Sequence, residues 1–393
     1  MIEAGARLAT ATRRLSRRAA WLGLAACALP GWGASLMLAP GGSLADVLRR
    51  AVDGDEIQIL AGEYHGQVGV IEQRRLTLRG VGGRPVLHAD GKHAEGKATL
   101  VSRGADVRIE NIEFRGSRVP DGNGAGIRLE SGRLVVARCA FIDNQNGILS
   151  SNAADAELTV QDSEFGRAPA DGKLPHLLYV GRIARVTVTG SRFSGGQAGH
   201  LIKSRARESR ILYNQLVDGP GGRAAYELEF PNGGLATVVG NVIGQSAETT
   251  NPAMLSFGAE GSDDRPHGLF VGNNTFVNEG LRPAYFVRVH EDKLKREVPR
   301  VLQNNVFVGL GIGDAKWADV TRGNFVLAAA MLQDAGAWSF ALPRGSWLHG
   351  LGVDPAGQGE VDLTPYEQFV LPAGRRAVTP RQRWSPGAFQ NPE

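Results

Sequence analysis

Cysteine is almost absent from this 393-residue chain, which has two, Cys27 and Cys139. Cys27 falls in a leader-like stretch, so Cys139 stands alone in the remainder and no intramolecular disulfide can staple it. Aromatic residues are scarce at 7%, while glycine reaches 53 residues, a balance that suits many tight turns better than a helical bundle. The apolar run over residues 19–29 is too short for a transmembrane span. An excess of one charge is also missing. Residues 1–33 carry five Arg and one Glu, a net of +4, and the whole chain is +4, so the rest is near neutral (+4 minus +4). The pI of about 9.2 therefore gives no support for nucleic-acid binding. Charged residues at 21% do not indicate disorder. Stability must come from packing.

The first residues read as an export signal. Arg13, Arg14, Arg17 and Arg18 precede the apolar AAWLGLAACAL, which Pro30 and Gly31 end. Cleavage near Gly33 would release a periplasmic or secreted protein. Leu24-Ala25-Ala26-Cys27 resembles a lipobox, which would instead place a lipid anchor on Cys27 and make an outer-membrane lipoprotein. Neither exit leaves a transmembrane helix.

After the leader, SLADVLRRAV has Ser43 as a capping residue and Leu44, Val47, Leu48 and Ala51 at helical spacing. One amphipathic helix followed only by strands suits the end cap of a stacked β-structure. GDEIQILAGEYHG follows as an alternating strand. From about residue 107 a unit recurs, with anchors at Phe114, Phe141, Phe165, Phe193, Leu216, Ile243, Phe276 and Phe307, at steps of 23 to 33 residues. Strands at that period with no helices between them predict a parallel β-solenoid over residues 43–325. Two residues before these anchors stand Cys139, Ser163, Ser191, Asn214, Asn241, Asn274 and Asn305, small or amide side chains that can stack and hydrogen-bond along the axis. Residues 326–393 form a Pro- and Gly-containing tail expected to run back along the solenoid or to cover its end.

GDEIQILAGEY, the N-x-F repeats with their asparagine register and the closing SPGAFQ resemble the right-handed parallel β-helix proteins of the pectate-lyase-like superfamily. The resemblance covers roughly residues 43–325 and implies the fold; fold alone does not fix chemistry.

Each unit has a second strand, and strand alternation assigns its faces. In AYELEF, Tyr226, Leu228 and Phe230 are expected inside, leaving Glu227 and Glu229 in solvent. In AYFVRVH, Arg288 and His290 are expected outside. With Ile202 and Ser204 inside, Lys203 and Arg205 point out, one rung from the Glu pair. The insertions VPDGNGA, APADGKLP, GAEGSDDRPHG and HEDKLKREVP would wall a groove over this face.

Such a patch suits a polysaccharide lyase acting on an acidic polysaccharide. β-Elimination at a uronic acid needs a cation to neutralise the carboxylate, a base for the C5 proton and an acid for the leaving oxygen. Lys203 is the candidate base, with like-charge repulsion from Arg205 favouring its neutral amine. Glu227 and Glu229 are candidate ligands for Ca²⁺, and His200 and Tyr226 are candidate acids, although alternation places Tyr226 in the core. His176, His267, Arg288 and His290 rank as groove-lining residues that bind substrate at most. Lys203-Ser204 with its following coils also resembles the chondroitinase-B and alginate-lyase family. That resemblance implies a base at Lys203, an assisting Arg on the next coil and a calcium-binding Glu pair. Here Glu227 and Glu229 occupy the coil of the assisting Arg, and the pair follows the lysine instead of preceding it. Two other readings stand beside the lyase. One is hydrolysis by Glu227 and Glu229 as paired carboxylates. The other is a non-catalytic glycan-binding or cell-envelope scaffold in which Lys203, Arg205 and the glutamates form a solvated ion-pair ladder.

Overall fold

The computed structural model describes residues 33–390, apart from 171–173, 250, 296–297, 314–317, 334–339, 357–360 and 380–382. Residues 1–32, which hold Cys27 and nearly all of the expected export signal, lie outside the described residues.

Three parallel sheets of 12, 10 and 11 strands run through the described residues, and each coil contributes one strand to each sheet in turn. One coil shows the pattern: Arg133–Ala137, then Ala140–Ile142, then Asn146–Ser150. Its strands pair in register with Glu157–Gln161, Glu164–Gly166 and His176–Val180 of the next coil. The expected solenoid is therefore the observed fold, and its anchors are core. Phe114, Phe141, Phe165 and Phe193 stack at centroid separations of 5.2, 4.6 and 4.4 Å. Leu216 and Ile243 continue the row, fully buried.

The bend between the first two sheets is set by two consecutive positions. The first takes a left-handed conformation, at Arg138, Tyr213 and Asn304 (φ 53°, 57° and 56°) and at Gly190 and Gly240 (59° and 69°). The second is the small or amide residue of the register. Asn214 N–H donates to Asn241 Oδ1, Asn241 N–H to Asn274 Oδ1 and Asn274 N–H to Asn305 Oδ1, each at 2.9 Å. Towards the N-terminus Ser191 and Ser163 substitute, their hydroxyls accepting from Ser163 N–H and Cys139 N–H at 3.1 Å. Asn324 extends the ladder one step further. A buried backbone N–H at a bend has no strand partner, and the next coil's side chain supplies one. Cys139 is buried here, and desolvation pushes its thiol up to about 12, so it is an inert packing residue.

Helix Leu44–Arg50 is capped by the Ser43 hydroxyl, which accepts from Asp46 N–H at 3.2 Å. Leu44, Val47 and Leu48 join the main core. A side chain at Gly69 would collide with Leu48, so the helix lies directly on the first strand of the ten-stranded sheet, Gly69–Ile71. The tail returns along the bends. Arg375 pairs with Asp162 at 2.9 Å, Tyr366 N–H donates to Tyr213 Oη at 3.1 Å, Asn304 Nδ2 donates to Val353 O at 2.7 Å and Ala388 N–H donates to Thr275 Oγ1 at 3.0 Å.

Candidate functional site

Strands His176–Val180, His200–Ser204, Tyr226–Phe230, Ala253–Phe257 and Ala284–Val289 are consecutive in the ten-stranded sheet. Their register aligns Tyr179, Lys203, Glu229, Ser256 and Arg288 in one ladder. This ladder is the outer face, because the residues that follow or precede it, such as Ile202, Leu228 and Phe230, are core.

Strict alternation fails at Glu227. The pairs His200–Tyr226 and Ile202–Leu228 place Leu201 beside Glu227 on neighbouring rungs. Leu201 is core. A side chain built at Gly147, the same position earlier in the sheet, would meet Phe165. Two consecutive residues of each strand thus face inward as the chain turns into this sheet. Glu227 is completely buried, and neither carboxylate oxygen has a hydrogen-bond partner. Desolvation, and then the nearby Asp218, hold its carboxyl well above the ordinary range. The expectation of a solvent-facing Glu227 is therefore corrected. Glu227 and Glu229 lie on opposite sides of one strand, so they cannot clasp a shared Ca²⁺ or act as a hydrolytic pair. Among the described residues, no trio of carboxylate or imidazole ligand atoms converges in this groove. The expected calcium ligand set does not fit.

Tyr226 is corrected in the opposite sense. It is half-buried on the outer face and stacks on His200 at 5.0 Å, and His200 stacks on His176 at 4.7 Å. His200 N–H donates to His176 Nδ1 at 3.0 Å, so that nitrogen carries the lone pair. His200 Nδ1 lies 2.9 Å from the same atom, and its Nε2 lies 3.4 Å from Glu229 Oε2. Burial, followed by the Lys203 and Arg205 charges, lowers His176 to about 3; burial, then His176, lowers His200 well below its usual value. Burial thus favours the neutral imidazole at both positions.

Lys203 and Arg205 do come together, through a residue that strand patterning had not singled out. Glu260, from the GAEGSDDRPHG insertion, accepts from Lys203 Nζ at 3.0 Å and pairs with Arg205 at 2.7 Å. Hydrogen bonding to Arg205 leads the effects that hold its carboxyl down at about 2. Lys203 Nζ also lies 3.3 Å from Glu229 Oε2, an electrostatic contact without good hydrogen-bond geometry. Burial raises Glu229, and the Lys203 charge opposes that rise. Two carboxylates flanking one ammonium are thus driven in opposite directions. Arg205 also donates from Nε to Tyr179 Oη at 3.1 Å and from Nη1 to Asn232 Oδ1. Arg265 fixes the backbone beneath, donating to Arg205 O at 2.8 Å and Asn232 O at 3.2 Å.

The remaining sequence candidates separate. Arg288 is exposed, over the Tyr285 ring at 5.2 Å, two rungs from Glu229 on the outer ladder. His290 Nε2 lies 3.4 Å from Ser256 Oγ, and burial lowers its basicity. His267 is structural: it is buried, and its Nδ1 accepts Gly234 N–H at 2.8 Å. Tyr179 and Glu260 were missed. Tyr179 aligns with Lys203 one rung away and was discoverable from register; Glu260 lies 57 residues from Lys203 and carried no periodic signal.

No protein-family model and no curated protein matches this sequence. Among solved structures, pectate lyase Pel9A superposes with a TM-score of 0.58 at 13% identity, covering 92% of this chain and 97% of its own. The PL6 family alginate lyase AlyGC and a point mutant of it overlap far more loosely, at TM-scores of 0.28 and 0.33 and 15% identity. This chain spans 51% and 56% of their lengths. The Pel9A likeness is one of fold alone: this chain is a right-handed parallel β-helix.

Proposed function

We propose that this protein is an exported carbohydrate-active β-helix that binds an acidic polysaccharide along its ten-stranded sheet and cleaves it by β-elimination. The observation that carries the reading is the convergence of Lys203 and Arg205 on a single carboxylate, that of Glu260. A uronate carboxylate has the same charge and shape, and could take the place of Glu260 on the Arg205 fork. A neutral sugar has nothing to exchange for it. That a solved protein with a similar fold is a pectate lyase agrees with the assignment, and the leader-like pattern of residues 1–33 agrees with export.

In this mechanism Arg205 neutralises the substrate carboxylate, which acidifies the adjacent C5 proton. Lys203 passes a proton to Glu229, whose burial favours the protonated form, and the resulting amine removes the C5 proton. Electrons from the C5–H bond form the new double bond as the C4–O bond breaks. The leaving oxygen takes a proton from the Tyr179 hydroxyl, and Arg205 Nε stabilises the phenolate left behind. Tyr226, now on the outer face, is the alternative donor.

A second reading has an observation of its own. Glu229 and Glu260 flank Lys203 with their acidities pushed apart, as hydrolysis by an acid and a carboxylate partner requires. The purified chain incubated with alginate, polygalacturonate, chondroitin, heparin and glucuronan separates these readings. Ultraviolet absorbance from an unsaturated uronate, lost in Lys203→Ala while glycan binding persists, supports elimination. New reducing ends without that absorbance would transfer the assignment to Glu229 and Glu260. Binding without either product would leave a scaffold.

A further inference from the structure

Far along the coil stack from the groove, the sequence GEYHG and the following VLHAD build a second cluster. The short strands Glu63–His65 and Val86–His88 pair in parallel register, placing His65 directly beside His88 on adjacent rungs. Their imidazoles stack at 4.6 Å with planes 10° apart. Each ring is held by a carboxylate: His65 Nδ1 lies 2.8 Å from Asp90 Oδ2, and His88 Nε2 contacts Glu63. Asp90 reaches this position because its backbone turns left-handed (φ 47°) immediately after the strand. One ligand atom from each of His65, His88 and Asp90 lies within 4.8 Å of the other two.

We propose that His65, His88 and Asp90 bind a divalent transition-metal cation of the zinc class, with Glu63 orienting His88 from behind. Donors sharing one tetrahedral zinc lie about 3.3 Å apart, given bonds near 2.0–2.1 Å. Closing the observed spread to that value calls for side-chain rotation at exposed His65 and Asp90 and at half-buried His88. With its imidazoles uncharged, as ligation requires, the cluster holds two negative charges from Glu63 and Asp90. Of its register neighbours, Arg115, beside His88, is already paired with Glu113. A divalent ion would balance that charge. The nitrogen donors select zinc, nickel or copper over calcium and magnesium, which prefer oxygen alone. A carboxylate behind a ligating histidine is also the usual means of fixing its tautomer and ring direction. The site would clamp two rungs at the N-terminal end of the solenoid, where stacking is one-sided.

The test is calorimetric titration of the chelator-treated, tag-free chain with zinc chloride, paired with metal analysis after dialysis. One equivalent should bind with a dissociation constant in the micromolar range or tighter. Affinity should fall at least tenfold in His88→Ala and in His65→Ala, and less in Glu63→Gln. His200→Ala should leave it unchanged, which separates this cluster from the groove histidines. Circular dichroism checks that each variant folds, and His88→Gln offers a milder change should alanine fail. No binding, or binding equally tight in a folded His65→Ala/His88→Ala double variant, would overturn the assignment.

Discussion

Glu227 is the most exacting test of this description, because a carboxyl group buried among hydrophobic side chains without a partner should destabilise the protein that contains it. Replacing it with methionine keeps the length of the side chain, and Met254 already occupies the core nearby. A buried polar group with no hydrogen bond costs about 1–3 kcal/mol, so Glu227→Met should raise stability by that much even where the carboxyl is protonated. Its pH dependence adds a second signature. The folded-state pKa lies above the ordinary 4.5, so the folded chain retains a proton that the unfolded chain releases. Stability from this group is fully present below about pH 4.5 and is lost as pH rises towards the folded value. The advantage of the variant should therefore grow with pH. Asp218 titrates with the same sign, its carboxyl pushed by burial from 3.8 to about 6, worth about 3 kcal/mol by linkage. Because Asp218 remains in both proteins, the difference between them reports Glu227 together with its coupling to Asp218. Urea unfolding of both proteins from about pH 4 to 8 measures it. A variant less stable than its parent at neutral pH would mean that Glu227 has a partner, and identical pH slopes would refute its inward burial.

Glu260→Gln removes the carboxylate that competes for Lys203 and Arg205. Partly exposed ion pairs contribute about 0.2–1 kcal/mol each, so losing the two made by Glu260 should lower KM for an acidic glycan about two- to thirtyfold with kcat little changed. A collapse of kcat would instead make Glu260 a working group. The proton-relay role of Glu229 requires its ionised form, so the acid limb of kcat/KM should lie above the ordinary carboxyl value and flatten in Glu229→Gln. Glu260, held near 2, cannot produce that limb. In the amide ladder, Asn241→Ala strands Asn214 N–H and takes a donor from the carbonyls of Ile211 and Val239, the latter keeping Tyr213 N–H. That should cost about 3–5 kcal/mol in denaturant unfolding. Asn241→Ser should recover part of it, since Ser163 and Ser191 provide the same acceptor elsewhere.

The coils were legible because their signals repeat. The phenylalanine anchors and the residue two places before them each see the same environment on every rung, so chance patterns average out. The same repetition also contained the correction at Glu227. Gly126, Gly147, Leu177, Leu201 and Met254 occupy the inward position ahead of a second inward residue, and no charged side chain appears among them. Alternation within one strand assigned Glu227 to solvent; comparison across strands assigns it to the core. A period of two holds only along straight strand, and here the chain is still turning a corner.

Groove chemistry was less legible for a related reason. Lys203, Arg205 and Tyr179 belong to the coils and inherit their positions from the register, but Glu260 belongs to an insertion longer than the turns at the same place in the preceding coils. Its position depends on Asn232, whose Nδ2 donates to Gly261 O, and on Arg265, which returns to hold the Arg205 and Asn232 carbonyls. The repeated scaffold thus offers a row of outward side chains, and the insertion decides which become a charged site. Without Glu260, Lys203 and Arg205 would be two cations on a sheet face with Glu229 as their nearest counter-charge. With it, they form a preorganised receptor already shaped around a carboxylate. Under the proposed function, substrate choice therefore rests more on the residues between Phe257 and Gly268 than on the strands that make the chain a β-helix, and exchanging that insertion should change which glycan binds while leaving unfolding cooperativity intact.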